Sequence, residues 1–313
     1  MLQLDASATA ARLDFAALIP ALRRAFAEGR EVPLRHTHTI TDPAGPGGTL
    51  LLMPAWQPGR WLGLKSVCIF PGNGARGLPG LHSVYLLFDA TTGVPLAQLD
   101  GDQITSRRTA AAAALAASFL ARADATRLLV LGTGRVARLL PEAMRCVRPI
   151  GQVRVWNHRP EGAQALAARW REQGLPAQAV TDLEAAVAEA DIVSCATLAE
   201  VPLVRGAWLR DGTHLDLIGS FTPRMRESDA DCFARCRVFV DTEEALTKSG
   251  DVLGAVAEGA FGPERLQGTL AQLCRGERAG RASSAERTLF KAVGNALEDL
   301  AAAELAAAAI LGR

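Results

Sequence analysis

Apolar and polar positions follow two rhythms along the chain. DFAALIPALRRAFAEG, residues 14–29, spaces its apolar residues three and four apart and ends on a glycine, which predicts an amphipathic helix. From about residue 31 to 100 the rhythm shortens. TLLLMPAW, WLGLKSVCIF and SVYLLFDATTGVPLAQLD are β-like runs divided by the turn-formers DPAGPGG and PGNGARGLPG. TTG between two apolar runs predicts a hairpin, so this region is expected to be a largely antiparallel sheet. SRRTAAAAALAASFLA then predicts an alanine-rich helix capped by Thr105 or Ser106.

After RADATR the pattern changes again. LLVLG, VRVWN, DIVSCA, HLDLIG and VFVD are apolar runs without clean alternation, as strands buried on both faces should be. Helical stretches such as VARLLPEAMRCV and GAQALAARWREQG separate them, and this alternation predicts a parallel, doubly wound α/β sheet. The end of the chain, ERTLFKAVGNALEDLAAAELAAAAIL, reads as one long alanine-rich helix that packs back on the first region.

Size and composition narrow the class. The chain has 313 residues, enough for two domains, and 49% apolar with 21% charged residues is ordinary for a globular protein. A net charge of +1 gives no electrostatic reason to expect nucleic acid or an anionic membrane as partner, and aromatic residues are too few for a base-stacking surface. Six cysteines are scattered; Cys232 and Cys236 are four apart but lack the second pair or histidine of a zinc site, so no metal is expected. MLQLDASATAARLDF lacks a basic segment followed by an apolar run, and no uncharged apolar stretch approaches membrane-spanning length. A cytoplasmic location is the expectation.

Candidate chemistry starts at LVLGTGRVARLL. Gly132, Gly134 and Ala137 form G-x-G-x-x-A between a strand and a helix: one glycine for the turn, one for close approach of backbone to a pyrophosphate, a small residue for packing. The second strand ends in Asn157, His158 and Arg159 instead of the acidic residue that usually meets the ribose of NAD, and Arg159 is suited to a 2′-phosphate. NADP(H) is therefore preferred, with NAD(H) as the alternative. Arg108, read as lying in the first turn of the alanine-rich helix, would oppose the helix dipole unless an anion intervened, which makes it a candidate carboxylate clamp. Arg107 points about 100° away and is expected in solvent. Lys65 interrupts an apolar strand and needs either a buried partner or an edge position from which to reach water. Arg35 in VPLRHTHTI is a similar, weaker candidate, and His82 in PGLHSVY is either a proton donor or an ordinary β-edge histidine.

With these residues in view the sequence resembles the ornithine cyclodeaminase/mu-crystallin family. The resemblance runs through VPLRH, LLMPAW, LGLKSVCIFPGN, LLFDATTGVPLAQLDG, ITSRRTAAAAALAASFLAR, VLGTGRVA, IGSFTPRMRESD, VFVDTEEALTKSGD and LFKAVGNALEDLAAA. It implies a Rossmann domain, residues 119–289, inserted into an α+β substrate-binding and dimerisation domain made of residues 1–118 and 290–313, and a homodimer. It implies further that Arg35, Lys65 and Arg108 hold the carboxylate of a small amino- or imino-acid substrate. Ser220, Val293 and Gly294, with Met53, are expected beside the substrate. Thr109, Gly132, Gly134, Arg135, Val136, Asn157, His158, Arg159, Thr197, Ile218 and Gly219 are expected around the dinucleotide.

The cyclodeaminases of the family carry an aspartate where this chain has Ser220, and a hydroxyl cannot serve as a carboxylate does toward a substrate amine. GSFTPRMRESD instead resembles the ketimine reductases. The resulting expectation is NADPH-dependent reduction of Δ1-pyrroline-2-carboxylate or Δ1-piperideine-2-carboxylate to L-proline or L-pipecolate. The alternatives are ornithine cyclodeamination with bound NAD, an alanine-dehydrogenase-like activity, or a non-catalytic crystallin-like dimer that binds the dinucleotide.

Overall fold

The short-rhythm segments of the first hundred residues form six strands: β1 (Leu2–Leu4), β2 (His36–Ile40), β3 (Gly48–Gln57), β4 (Trp61–Ile69), β5 (Leu81–Asp89) and β6 (Pro95–Asp100). They make one sheet in the order β1-β6-β5-β4-β3-β2, antiparallel except for the parallel β1–β6 pair. The hairpin joining β5 to β6 turns at the expected TTG, where Asp89 Oδ1 accepts the N–H groups of Thr91 and Thr92. In β4 the alternate residues Trp61, Gly63, Lys65 and Val67 are buried. The longer helices are α1 (Phe15–Glu28), α2 (Gly101–Leu120), α3 (Pro160–Glu172), α4 (Gly250–Ala257) and α5 (Ala296–Leu311). Helix α1 starts on Asp14, whose carboxylate accepts the Ala17 N–H at 3.0 Å, and stops at Gly29. Helix α5 packs on α1 and across β3, β4 and β5, which covers the buried face of the sheet.

This computed structural model describes residues 1–312 and divides into two units. The first is Met1–Arg108 with the chain from Asn295 onward; the second is Thr109–Gly294. The division thus falls inside α2 and just before α5, at neither of the junctions (118/119 and 289/290) expected from the sequence.

Helix α2 starts earlier than the sequence suggested. Asp100 Oδ1 accepts the Gln103 N–H at 2.7 Å, so the helix begins at Gly101 and Thr105 and Ser106 lie inside it. Arg108 consequently sits about two turns in, beyond the reach of the helix-end dipole. The helix dipole therefore does not set the surroundings of Arg108, contrary to the expectation from the sequence. Arg107 is not in solvent either: Nη1 donates to Leu13 O at 3.1 Å and the guanidinium lies over the Phe15 ring.

The second unit holds eight strands, all parallel: β7 (Arg127–Leu131), β8 (Gln152–Trp156), β9 (Ala177–Ala179), β10 (Ile192–Cys195), β11 (His214–Leu217), β12 (Arg237–Val240), β13 (Leu266–Thr269) and β14 (Thr288–Lys291). Their order is β13-β12-β14-β11-β10-β7-β8-β9. The five apolar runs read from the sequence are β7, β8, β10, β11 and β12. Strand β14 corrects the reading of the chain end as one helix: TLFK is an interior strand between β12 and β11. Gly294, with φ +82°, follows it, and Asn295 caps α5 by accepting the Leu297 N–H at 2.9 Å. A short apolar run on its own does not separate strand from helix; here the glycine and the capping asparagine do.

Candidate functional site

The order of the parallel sheet reverses at β7, with β8 and β9 on one side and β10 and β11 on the other. At such a switch point the loops at the carboxyl ends of the strands diverge and leave a crevice, where open α/β sheets take their ligands. The glycine turn leaves β7 there. Gly132 has φ +103°, and a Cβ on it would lie 2.6 Å from Ala196 O, so the turn itself requires glycine. At Gly134 a Cβ would meet nothing within 4 Å, and the residue is exposed. Nothing in the protein demands this second glycine. Its bare backbone leaves room for something from outside, as the close approach of a pyrophosphate would require. The helix expected after the turn is broken: a single 3-10 turn, Ala137–Leu139, leads to the short helix Leu140–Arg145, which carries Pro141 in its first turn.

The other residues expected at the dinucleotide follow the same edge of the sheet, except Thr109, which lies half-buried on α2. Arg135 is exposed and Val136 half-buried after β7. Asn157, His158 and Arg159 link β8 to α3; Asn157 Nδ2 donates to Arg159 O at 3.1 Å, and His158 and Arg159 are exposed. Thr197 follows β10, and Ile218 and Gly219 follow β11. Val293 and Gly294, after β14, donate their N–H groups to Asp241 Oδ2 at 2.8 and 2.7 Å. The fold, the turn and the exposed basic loop after β8 fit a dinucleotide.

Ser220 stands apart. It is fully buried with φ +52°, the one described non-glycine residue at positive φ. Its Oγ donates to Met225 O and accepts the Asp251 N–H at 2.9 Å. The hydroxyl thus braces the turn after β11.

In the first unit the sequence candidates meet. Lys65 belongs to β4, an interior strand, so the edge alternative is excluded. Its side chain is 2% exposed and Nζ lies 2.6 Å from Asp299 Oδ2. Arg108 Nε lies 2.8 Å from the other oxygen of Asp299, and Arg108 Nη1 lies 2.6 Å from Glu298 Oε2. Two cations from β4 and α2 are therefore clasped by two adjacent carboxylates of α5. Burial lowers the Lys65 ammonium to about 8; Asp299 opposes that fall and Arg108 adds to it. Burial also works against the Arg108 charge, but Asp299 and Glu298 outweigh it and hold the guanidinium firmly protonated. Asp299, despite burial, is held below its ordinary value by Lys65 and Arg108. Tyr85 pairs with Lys65 across β4 and β5; it is fully buried, and its hydroxyl has no hydrogen-bond partner.

Arg35 is half-buried just before β2. The first β2–β3 pair is His36–Leu52, and Met53 pairs with Lys65. The next ladder step would set Arg35 level with buried Met53, two strand spacings, roughly 10 Å, from Lys65. His82 is exposed on β5, an interior strand, opposite Cys68. Among the described residues, no group of three or more histidine, cysteine, aspartate or glutamate side chains could hold a metal ion, and no helix is long and apolar enough to cross a membrane.

Two groups escaped the sequence reading. Glu298 and Asp299 interrupt the apolar ALEDLAAAELAAA, and adjacent acids on a buried helix call for cations just as Lys65 in its strand called for an acid. The second is a polar network in the second unit. Lys291 Nζ donates to Leu217 O at 3.1 Å and to Gly219 O, and lies 3.6 Å from Asp251 Oδ2. Asp251 Oδ1 accepts the N–H groups of Glu227 and Ser228, and Glu227 Oε1 accepts the Thr197 N–H and hydroxyl, each at 2.7 Å. Burial pushes Glu227 up to about 8. Lysine itself was the available signal, since only three of the 34 basic residues are lysines and Lys65 and Lys291 are the two buried ones.

The model of the ornithine cyclodeaminase/mu-crystallin family matches residues 3–312. A Paracoccus denitrificans protein named Δ1-pyrroline-2-carboxylate reductase is 42% identical over 288 residues, 89% of this chain and 91% of its own. The Thermococcus litoralis Δ1-pyrroline-2-carboxylate reductase, solved in complex with NADH and L-proline, superposes with a TM-score of 0.92 at 33% identity, covering all of this chain and 98% of that one. An archaeal alanine dehydrogenase dimer with bound NAD superposes at 0.91 with 29% identity, covering all of this chain and 96% of that one. The chain belongs to the ornithine cyclodeaminase/mu-crystallin family.

Proposed function

We propose that this protein is an NADPH-dependent reductase of cyclic ketimines, taking Δ1-pyrroline-2-carboxylate or Δ1-piperideine-2-carboxylate to L-proline or L-pipecolate. The observation that carries the reading is the buried Lys65–Asp299–Arg108 cluster, in a family whose relatives include reductases of that imine. When bound, the reduced nicotinamide supplies a hydride to the imine carbon. Lys65 and Arg108 receive the adjacent carboxylate by charge-assisted hydrogen bonds, draw electron density from that carbon and fix its orientation. The imine nitrogen takes up one proton, and C=N becomes CH–NH. Gly132, Gly134 and the backbone of the β7 turn would hold the pyrophosphate, with Arg135, Val136, Thr109, Thr197, Ile218 and Gly219 around the rest of the dinucleotide. Arg159, with Asn157 and His158, favours a 2′-phosphate and hence NADPH over NADH, although the Thermococcus enzyme was solved with NADH. Arg35 completes the carboxylate site, and Val293 and Gly294 border the substrate.

The Ser220 geometry weighs against ornithine cyclodeamination, because a hydroxyl engaged by Met225 O and Asp251 N has no acid–base role to offer a substrate amine. A homodimer built through the first unit suits the exposed edge strand β2, and the related archaeal alanine dehydrogenase is described as a dimer. Six free cysteines suit a reducing, cytoplasmic setting.

Purified protein given Δ1-pyrroline-2-carboxylate is expected to oxidise NADPH faster than NADH and to accumulate L-proline. Release of ammonia from ornithine with NAD, with the imine left untouched, would overturn the reading.

A further inference from the structure

Asp299 divides its carboxylate between two cations that belong to different elements. Oδ2 takes Lys65 of β4 at 2.6 Å, and Oδ1 takes Arg108 Nε of α2 at 2.8 Å. Glu298, one residue earlier on α5, meets Arg108 at Nη1. Two like charges this close repel unless a counter-ion lies between them. A single carboxylate bridging both fixes their separation and their direction. It meets Lys65 as an ion pair and Arg108 by a hydrogen bond from Nε, while Arg108 Nη1 donates to Glu298.

We infer that Asp299 is a positioning residue of the proposed reduction, holding Lys65 and Arg108 together as one two-pronged receptor for the substrate carboxylate. The inference rests on the reductase reading for its consequence in catalysis, but not for its physical content. The charged groups that act on Lys65 are Asp299 and Glu298 from α5 and Arg108 from α2. Asp299 supports the protonated lysine most strongly among them, and Arg108 works against it. Asp299→Asn keeps the shape and removes that support. Lys65 should then lose its proton at lower pH, and the pair should lose its fixed spacing.

The chain's three lysines allow a direct test by NMR of selectively labelled lysine side chains. The Lys65 signal, assigned by its absence in Lys65→Met, is expected to titrate near pH 8 in the wild type. In Asp299→Asn it should titrate at least tenfold more acidic in proton concentration, and in Glu298→Gln it should move less. In the enzyme assay Asp299→Asn should raise KM for the imine by about tenfold or more, as loss of charge-assisted contacts does. The alkaline limb of kcat/KM should move to lower pH while dinucleotide binding stays unchanged. A Lys65 titration that Asp299→Asn leaves in place overturns the inference. If the wild type does not reduce the imine, the proposed function fails, whereas the NMR titration still decides whether Asp299 controls Lys65. Should Asp299→Asn fail to fold, Asp299→Glu keeps the charge and lengthens the arm. A raised imine KM with normal dinucleotide binding then supports positioning, and an unchanged KM overturns it.

Discussion

Lys65 and Lys291 make a natural pair: each is a buried ammonium on an interior strand, one in each unit, and each has a carboxylate within 4 Å. They differ in what else surrounds them. Lys291 also donates to two backbone carbonyls of its own unit, Leu217 O and Gly219 O, with Asp251 Oδ2 farther off at 3.6 Å. That lysine ties the end of β14 to the turn after β11. Lys65 has a carboxylate shared with Arg108 and, opposite it in the sheet, a buried tyrosine hydroxyl that bonds to nothing. Buried polar groups are normally satisfied, and those that are not need a reason. A lysine held by two carbonyls ties strands together; a lysine whose one carboxylate is shared with a second cation forms a charged pair with it.

The sharpest way to break that contrast is to remove each ammonium in turn. Lys291→Met leaves Asp251 charged and two carbonyls without their donor inside the second unit. Breaking a buried pair from one side costs about 3–5 kcal/mol, so melting is expected to fall by on the order of 10 °C. Lys65→Met should act mainly on turnover, lowering kcat/KM for the imine about a thousandfold, near 4 kcal/mol of transition-state binding, with a smaller change in melting because Arg108 still faces Glu298 and Asp299. Calorimetry and initial rates on the two variants settle it. Equal losses of stability, or full activity in Lys65→Met, would abolish the distinction between a structural and a ligand-facing lysine.

The buried acids of the second unit sharpen the comparison by their pH dependence. Asp216 on β11 is fully buried, and burial raises it to about 7, against the Ser194 hydroxyl and Lys291, which favour its charged form. A carboxyl raised in the folded state keeps a proton that the unfolded chain has released. Its destabilising effect therefore grows from about pH 4 to about pH 7 and persists above that range. Asp216→Asn escapes this, so the variant should gain on the wild type as pH rises, by up to about 4 kcal/mol above neutrality. Melting curves between pH 5 and 9 measure the crossing. A variant that is less stable than wild type at pH 9 would show that the charged form is welcome there.

Lys65 and Lys291 also show how far the sequence could be read. LGLKSV and TLFKAV are the same pattern, a lysine in a short apolar run. The first lies between clear turn-formers and reads as a strand with a buried lysine. The second is followed within a few residues by alanine-rich text, and the helical signal of α5 obscures the strand β14. What was legible depended on local punctuation. The glycine turn, the TTG hairpin and the apolar runs of β7, β8, β10, β11 and β12 each carry their own signals. The partners of Lys65 and Arg108 lie some 190 residues along the chain from Arg108, and no periodicity links such positions. The sequence reads Arg108 as lying at a helix start, whereas it lies in the middle of α2 and its charge is met by Glu298 and Asp299. Ser220 shows the opposite limit. Its identity was readable, but the inward turn of its hydroxyl depends on Met225 and Asp251, which fold onto it.

The smallest expected effect concerns a cation in solvent, where the rules for the buried pair reverse. Arg159 is exposed beside the β8–α3 connection, and its neighbour Asn157 bonds to the Arg159 carbonyl, which orders the loop without engaging the guanidinium. Surface charges contribute little to folding, so Arg159→Ala should leave melting unchanged within about 0.5 kcal/mol. Its contribution would appear only when a 2′-phosphate arrives. One solvent-exposed charge-assisted contact is worth about 1.4 kcal/mol, and kcat/KM with NADPH is expected to fall about tenfold while the value with NADH holds. That difference should also shrink with added salt, because exposed charges are screened over roughly 8–10 Å at ordinary ionic strength whereas Lys65 and Arg108 are shielded from it. If the ratio of the two dinucleotides does not change, Arg159 is only a solvated loop residue, and the preference for NADPH has no support at the end of β8.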